Sequence, residues 1–161
     1  LLRGQALGLD VAHVPLLLAA MSLMTTFMSA PTGRLSDRVG RRPLMIGGFA
    51  LLIASHLVRA LAGGPALVFV GAVLFGLHFA ITEAVLAALV ADMAPADLRG
   101  TAFGLFHLMS GIAILIGSLA AGWIWDGAGA ATMFLIAAAV SLIGLLLLLT
   151  ISRPGAKNPN P

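Results

Sequence analysis

Five long apolar stretches, separated by short polar segments, make up most of the chain. Their approximate bounds are residues 11–32, 43–62, 66–91, 101–125 and 130–151. About 20 apolar residues in an α-helix cross the ~30 Å hydrocarbon core of a bilayer, and each stretch is about that long or longer. Helix breakers stand between them, with Gly63-Gly64-Pro65 after the second stretch and Gly127-Ala128-Gly129 after the fourth. The pattern predicts an all-α membrane protein with five transmembrane helices.

Composition removes several other classes of protein. Of the 161 residues, 60% are hydrophobic and 9% are charged, whereas soluble domains carry about 25% charged residues. The chain has no cysteine, which excludes disulfides and thiolate metal sites. The net charge is only +3, so a nucleic-acid partner is not indicated. We therefore expect the lipid bilayer as a partner and residues 1–151 as one membrane domain.

The two ends of the chain differ from the spans. Residues 1–10 mix polar and apolar side chains, and we interpret them as a loop or as the frayed end of a helix. Residues 152–161 are polar and rich in proline, so we expect a disordered cytoplasmic tail. The first residue is Leu1 rather than methionine, which favours a piece of a longer protein.

Basic residues predict which ends of the spans face the cytoplasm. Two, Arg3 and Arg59, lie on one side of the predicted membrane. Seven lie on the other side: Arg34, Arg38, Arg41, Arg42, Arg99, Arg153 and Lys157. Because cytoplasmic loops carry the excess of Lys and Arg, the second side and the C-terminus are expected in the cytoplasm, in an inner-membrane protein. The N-terminus then lies outside, which predicts a further helix upstream.

The most polar segment is Gly33-Arg34-Leu35-Ser36-Asp37-Arg38-Val39-Gly40-Arg41-Arg42, which holds four of the nine basic residues. We expect it to be a short aqueous loop between the first two spans. Its spacing, Gly-x-x-x-Asp-Arg-x-Gly-Arg-Arg, resembles the signature loop of the major facilitator superfamily of secondary transporters. A second polar loop, Asp92-x-x-Pro95-x-x-x-Arg99-Gly100, is similar to the loop between the fourth and fifth helices of a half of such a transporter.

The resemblance implies two six-helix halves that move against each other in alternating access. The signature loop joins the second and third helices of a half, so one helix of this half is expected to be absent here. In many members of the superfamily, the fourth helix of the first half carries an arginine, and the fifth helix carries a Gly-Pro pair. The matching helices here have no arginine before Arg99 and no proline between Pro95 and Pro154. The resemblance therefore favours the C-terminal half, helices eight to twelve. The missing N-terminal half-bundle is then a partner.

Two interpretations of the signature loop remain open. The resemblance implies a conformational latch, and the residues that fit its pattern are Gly33, Asp37, Arg38, Gly40, Arg41 and Arg42. Glycines allow close backbone approach and positive φ values. Asp37 can pair with a neighbouring arginine or cap a helix N-terminus. The alternative is that the basic residues only set topology.

Glu83 in the third span is the candidate for proton or substrate handling, because an acid inside a span is costly and is by default a functional hypothesis. His78 and Thr82 are four positions apart and share a helix face, which Glu83 flanks. The alternative is a structural role, with Glu83 paired to a cytoplasmic arginine. His56 is expected near the outer interface, and Arg59 is expected to extend its side chain to that interface.

Small residues recur along the fourth span, and we expect them to pack against another helix. They are Gly104, Gly111, Ser118 and Gly122. The sequence contains no phosphate-binding loop, nucleophile elbow or metal-ligand spacing, so we expect neither an enzyme nor a cofactor or metal. The leading hypothesis is a proton-coupled transporter of a small solute. The rival is a truncated facilitator relative that serves as a non-transporting scaffold or oligomer.

Overall fold

The computed structural model describes residues 2–150, with every side chain among them except those of Leu2, Val11 and Asp37. Its helices are α1 (Leu2–Ala6), a 3-10 turn (Val11–His13), α2 (Val14–Val39), α3 (Arg41–Ala60), α4 (Pro65–Met93) and α5 (Arg99–Thr150). No strand occurs among these described residues. The expected all-α architecture is confirmed, and the predicted tail, residues 152–161, lies outside the described residues.

The helix α5 is far too long to cross a bilayer once. Its 52 residues correspond to about 78 Å of helix, against ~30 Å of hydrocarbon. Gly129 interrupts it with φ 83° and ψ 165°, and divides it into a first limb (residues 99–128) and a second limb (residues 130–150). Of the described helices, four are long and apolar enough to cross a membrane. Because α5 supplies two crossings, these four helices are compatible with the five predicted spans.

The chain turns back at Gly129. The Trp125 and Phe134 rings lie 6.3 Å apart, whereas nine residues of straight helix would separate their backbones by about 14 Å. Positive φ is the conformation that favours glycine, and this position therefore needs one. The predicted breaker after the fourth span is confirmed.

The predicted ten-residue loop between the first two spans is wrong. The helix α2 continues to Val39 and α3 begins at Arg41, so only Gly40 is non-helical, with φ 88° and ψ 160°. The 26 residues of α2 make about 39 Å of helix, which is longer than the hydrocarbon core is thick. Its basic last turns can therefore stand in the headgroup region and remain helical. Pro31 consequently lies inside α2 and not near its end.

The helix α4 lies at the centre of the bundle and contacts α2 along small residues. Leu17, Val68 and Ala72 belong to one buried cluster. A Cβ placed on Gly76 would come 2.7 Å from the carbonyl oxygen of Met21, so the two backbones meet closely there. These contacts advance in the same direction along both helices, so α2 and α4 run parallel.

The helix α3 packs against another side of α4 and also holds the second limb of α5. A Cβ added to Gly48 would lie 2.9 Å from the Thr82 methyl group, and one added to Gly144 would lie 2.9 Å from the Phe49 ring. The beginning of the first limb of α5 and the end of α4 line a cavity of about 470 Å³ between them. Residues 111–120 of this limb are all exposed, so it has an open face among the described residues.

Candidate functional site

Residues of the two predicted polar loops meet at one end of the bundle. The Arg41 guanidinium forms an ion pair with the Asp92 carboxylate at the end of α4, and 34% and 61% of these side chains are exposed. Arg42 donates hydrogen bonds to the carbonyl oxygens of Leu149, at 2.8 Å, and Leu148, at 3.4 Å, in the last turn of α5. A cation there complements the negative end of the helix dipole. We call Arg41, Arg42 and Asp92 the polar junction, because they join the beginning of α3 to the ends of α4 and α5.

The other signature residues differ in what the backbone requires of them. Gly40 needs to be glycine because its φ is 88°. Gly33 lies inside α2, where an added Cβ would meet nothing within 4 Å among the described residues, so its role stays a prediction. Arg38 is exposed. Asp37 lies in the last turn of α2, and its side chain is outside what the structure describes.

The second polar loop forms a short turn between α4 and α5. The Leu98 backbone N–H donates to the Pro95 carbonyl oxygen at 3.0 Å. Pro95, Arg99 and Gly100 are exposed, and Arg99 and Gly100 begin α5. Of the four residues of this loop that match the family pattern, Asp92 is the one that contacts the signature segment, through its ion pair with Arg41. A functional role for the other three stays a prediction.

His78 and Thr82 lie on one face of α4, as predicted, and that face is turned toward α3. His78 Nδ1 forms a hydrogen bond of 2.8 Å with the carbonyl oxygen of Gly48. The Thr82 hydroxyl donates to the His78 carbonyl oxygen at 2.9 Å. His78 is therefore bonded to α3, whereas the Thr82 hydroxyl bonds back to the preceding turn of α4. Their place on a substrate pathway stays a prediction.

Glu83 lies on a different stripe of α4, the one that faces α2. It follows Gly76 by about two helical turns, and Gly76 accepts a hydrogen bond from the Thr25 hydroxyl of α2. Because the two helices are parallel, two turns beyond Thr25 brings Thr32 to the level of Glu83. Glu83 is partly exposed and lies about 14 Å along the helix from Asp92. Glu83 forms no ion pair among the described residues. The arginine partner that the structural alternative predicts is therefore not found among them.

A groove between α2 and α4 borders the same stripe and encloses about 400 Å³. Three hydroxyl side chains and two aromatic rings are prominent in its lining, namely Ser22, Thr25, Thr26, Phe75 and Phe79. Glu83 follows Phe79 by one helical turn. Binding pockets for small molecules combine mostly apolar walls with a few polar groups that fix orientation. This lining suits a small organic solute with both apolar and hydrogen-bonding parts.

A half-buried arginine, Arg59, forms a second polar cluster, and its expected position is wrong. Arg59 does not extend to the interface but turns inward between α3 and α4. Its guanidinium donates to the Ser55 hydroxyl and to the Gly71 carbonyl oxygen, both at 2.8 Å. Its Cζ lies 5.0 Å from the centroid of the Phe75 ring and 5.6 Å from that of Phe134, within the range of cation–π attraction. Gly71 leaves room for this arrangement, because an added Cβ would collide with the Arg59 side chain.

His56 joins the same cluster from the next position after Ser55. Its ring centroid lies 6.2 Å from that of Phe134 in the second limb of α5. Its Nδ1 atom is buried and has no hydrogen-bond partner within the described part of the chain. His56, expected near the outer interface, thus faces the interior of the bundle.

The small residues of the first limb of α5 have no neighbouring helix in the described part of the chain. Nothing lies within 4 Å of a Cβ built on Gly104, Gly111 or Gly122. Ser118 and Gly122 instead border a cavity of about 580 Å³ that is shared with Arg3. Their packing against another helix stays a prediction.

The architecture places the chain in a broad class of proteins. Its helices are long and apolar enough to cross a membrane, and most of its charged residues lie at helix ends or in turns. The chain is therefore a multi-pass α-helical membrane protein.

Comparison with known proteins identifies the family. The sequence profile of the Major Facilitator Superfamily matches residues 2–161, and the chain belongs to this family. The suspected resemblance is thereby confirmed.

Three relatives illustrate the match. The chain is 32% identical over 157 residues to the tetracycline resistance protein, class C, of Escherichia coli, covering 93% of this chain and 38% of that protein. It is 34% identical over 124 residues to an uncharacterized MFS-type transporter of Methanocaldococcus jannaschii, covering 76% of this chain and 31% of the relative. It is 29% identical over 114 residues to a probable sugar efflux transporter of Helicobacter pylori, covering 71% of this chain and 29% of that protein. The chain thus spans about a third of the length of these relatives.

Proposed function

We propose that this chain is part of a secondary active transporter that moves a small organic solute across the cytoplasmic membrane by alternating access. The proton is the proposed coupling ion, and Glu83 is its proposed carrier. Relatives named for tetracycline resistance and for sugar efflux favour export as the direction. The lining of the groove between α2 and α4 favours an amphipathic solute.

The position of Glu83 inside α4 is the observation on which this proposal rests. Of the six acidic residues in the chain, it is the one that lies away from loops and helix ends. Ionisable residues in such positions are rare and mark ion or substrate pathways. Its stripe of α4 borders the groove, and it has no ion-pair partner among the described residues. Alternating access would expose such a group to each side of the membrane in turn, which a proton carrier requires.

The polar junction is proposed to lie in the cytoplasm and to stabilise one access state. Exposed ion pairs contribute only about 0–1 kcal/mol to stability. The pair between Arg41 and Asp92 is exposed, so it could break and re-form during a transport cycle at little cost. The C-terminal end of α5 is then cytoplasmic as well, because Arg42 binds its last turn.

The test is Glu83→Gln in the full-length protein, reconstituted in vesicles with and without a proton gradient. Glutamine keeps the size and most of the hydrogen bonding but cannot ionise. We expect gradient-driven accumulation to be lost while exchange of solute across the membrane remains measurable. Tetracycline and a set of sugars are the first solutes to try. Asp97→Asn is the matched control, because it neutralises an exposed acid outside the spans and should preserve both activities.

Two results would contradict this assignment. Normal accumulation by Glu83→Gln would exclude Glu83 as the proton carrier. Loss of membrane insertion in that variant alone would instead favour a structural role for the acid.

The open face of the first limb of α5 favours a second candidate function, a non-transporting scaffold or oligomer. Small residues on a helix face allow another helix to approach closely. A defined oligomer in detergent, combined with no movement of any tested solute by the wild type, would favour this candidate over transport.

A further inference from the structure

We propose that Arg3 and Arg59 form a binding site for one anionic group, a carboxylate or a phosphate, at the end of the bundle opposite the polar junction. This site adjoins the groove proposed for the transported solute, since Met21 and Phe75 border both cavities, but the two arginines line only the former. It rests on the placement of the two side chains and not on the proposed function.

Both arginines line one cavity of about 210 Å³ bordered by α1, α2, α3, α4 and the second limb of α5. Its other walls are apolar, and include Leu17, Val68 and Phe134. No acidic side chain borders this cavity among the described residues. Two guanidinium groups in one largely apolar space repel each other, and an anion between them would remove that repulsion.

Arg59 is held only by neutral groups. Its two hydrogen bonds go to the hydroxyl of Ser55 and the carbonyl oxygen of Gly71, and both use the Nη2 atom. A guanidinium carries five N–H donors, so several remain for a ligand. A charge withdrawn from water without a counter-ion is costly. An anion in the cavity would supply that counter-ion.

Arg3 approaches the cavity from α1 and is also fixed by a backbone carbonyl. Its Nη2 donates to the Ala62 carbonyl oxygen at 3.0 Å. Its Nε is buried and has no hydrogen-bond partner in the described part of the chain. Both arginines are therefore held in place with donors unused, and such preorganisation lowers the cost of binding.

Asp126 is the acid that comes nearest to competing for Arg3. It borders the adjoining cavity, together with Arg3, but it is exposed. No ion pair joins it to Arg3 among the described side chains. Arg3 thus remains available to a ligand.

The chemistry of the ligand follows from the guanidinium group. Its planar fork matches the oxygen atoms of a carboxylate or a phosphate, which it binds in a bidentate manner. The apolar walls would accept a short alkyl part next to the charge. Such a group can come from a free small anion or from the headgroup of an anionic lipid.

The experiment uses the purified full-length protein in an uncharged detergent. Thermal unfolding is followed by tryptophan fluorescence while butyrate or inorganic phosphate is raised at constant ionic strength. A parallel arm measures by native mass spectrometry how much phosphatidylglycerol the protein retains, compared with phosphatidylcholine. The variants are Arg3→Gln and Arg59→Gln, and the control is Arg34→Gln, which removes an exposed arginine elsewhere. Asp126→Asn tests the competing acid.

We expect at least one arm to show binding by the wild type. Arg3→Gln should weaken it about ten- to a hundredfold, since hydrogen bonds to charged groups contribute this much. Arg34→Gln should bind like the wild type, and Asp126→Asn should bind equally well or more tightly. A response to butyrate or phosphate identifies a free anion, and selective retention of phosphatidylglycerol identifies a lipid headgroup.

Three results would overturn the proposal. The first is equal behaviour of the wild type and Arg3→Gln in both arms. The second is an equal loss in Arg34→Gln, which would indicate a general effect of charge. The third is an equal loss in Asp126→Asn. If Arg59→Gln does not fold, Arg3→Gln decides the question, because that change leaves the buried cluster of Arg59 intact.

Discussion

Replacing Gly76 with alanine tests the closest contact between α2 and α4. The added Cβ would lie 2.7 Å from the carbonyl oxygen of Met21 and 3.1 Å from its Cα. Both are backbone atoms, which cannot rotate away as the end of a side chain can, so the two helices must separate. Gly111→Ala is the matched control, because a Cβ at Gly111 would meet nothing within 4 Å.

The comparison of the two variants isolates the cost of packing. Alanine is more favourable than glycine inside a helix by about 0.5–1 kcal/mol, and both variants gain this amount. Overpacking a close contact costs about 1–3 kcal/mol, and only Gly76→Ala bears that cost. Separation also lengthens the 3.2 Å hydrogen bond from Thr25 to Gly76. We therefore expect Gly76→Ala to have a free energy of unfolding about 1–3 kcal/mol below that of Gly111→Ala.

Unfolding in mixed micelles with increasing sodium dodecyl sulfate, followed by circular dichroism, measures this difference. Equal stability of the two variants would refute the close approach at Gly76. The register that brings Thr32 to the level of Glu83 would then fail as well. If Gly111→Ala were less stable than Gly76→Ala, the result would instead show that another helix packs at Gly111.

Two further predictions concern the polar junction and the sides of the membrane. These 161 residues contain no cysteine, so Ser36→Cys and Gly64→Cys can each be introduced as a single probe in a full-length protein whose other cysteines, where present, are replaced. In intact cells, a membrane-impermeant thiol reagent should label Gly64→Cys but not Ser36→Cys, and the reverse pattern would invert the topology. Neutralising Arg41 and Asp92 singly and together should give a coupling of about 0.2–1 kcal/mol in unfolding, as for exposed pairs. Exchanging the two charges should restore transport that either neutralisation impairs, and equal transport by all variants would contradict the latch hypothesis.

The sequence predicted those features that depend on local physics. A crossing needs about 20 apolar residues, so the spans are visible as a pattern. A reversal between two crossings needs a break, and Gly129 supplies it with a positive φ. The shared face of His78 and Thr82 follows from helical periodicity alone. The family resemblance rested on the spacing from Gly33 to Arg42 and on the loop from Asp92 to Gly100, and neither pattern needed a structure.

The features that sequence reasoning missed depend on neighbours across the bundle. The polar segment before Gly40 indicates an aqueous environment, but polarity does not decide between loop and helix, and α2 remains helical to Val39. Arg59 could extend outward or turn inward, and the inward position depends on space at Gly71. Ser55 one turn before Arg59 was the available signal. This signal could be interpreted only with the knowledge that Gly71 of α4 lies next to Arg59.

Near each end of α3, a different contact holds it to α4, and the difference in strength indicates where these two helices could separate. At one end, the exposed pair of Arg41 and Asp92 contributes about 0–1 kcal/mol. At the other end, Arg59 and Ser55 of α3 both donate hydrogen bonds to the Gly71 carbonyl oxygen of α4, and separation of the helices would break them. A hydrogen bond from a charged group such as Arg59 contributes about 1.5–3 kcal/mol. Breaking the pair of Arg41 and Asp92 is therefore the less costly way to separate α3 from α4. In a transport cycle we expect α3 to remain fixed to α4 at Arg59 and to separate from it at Arg41.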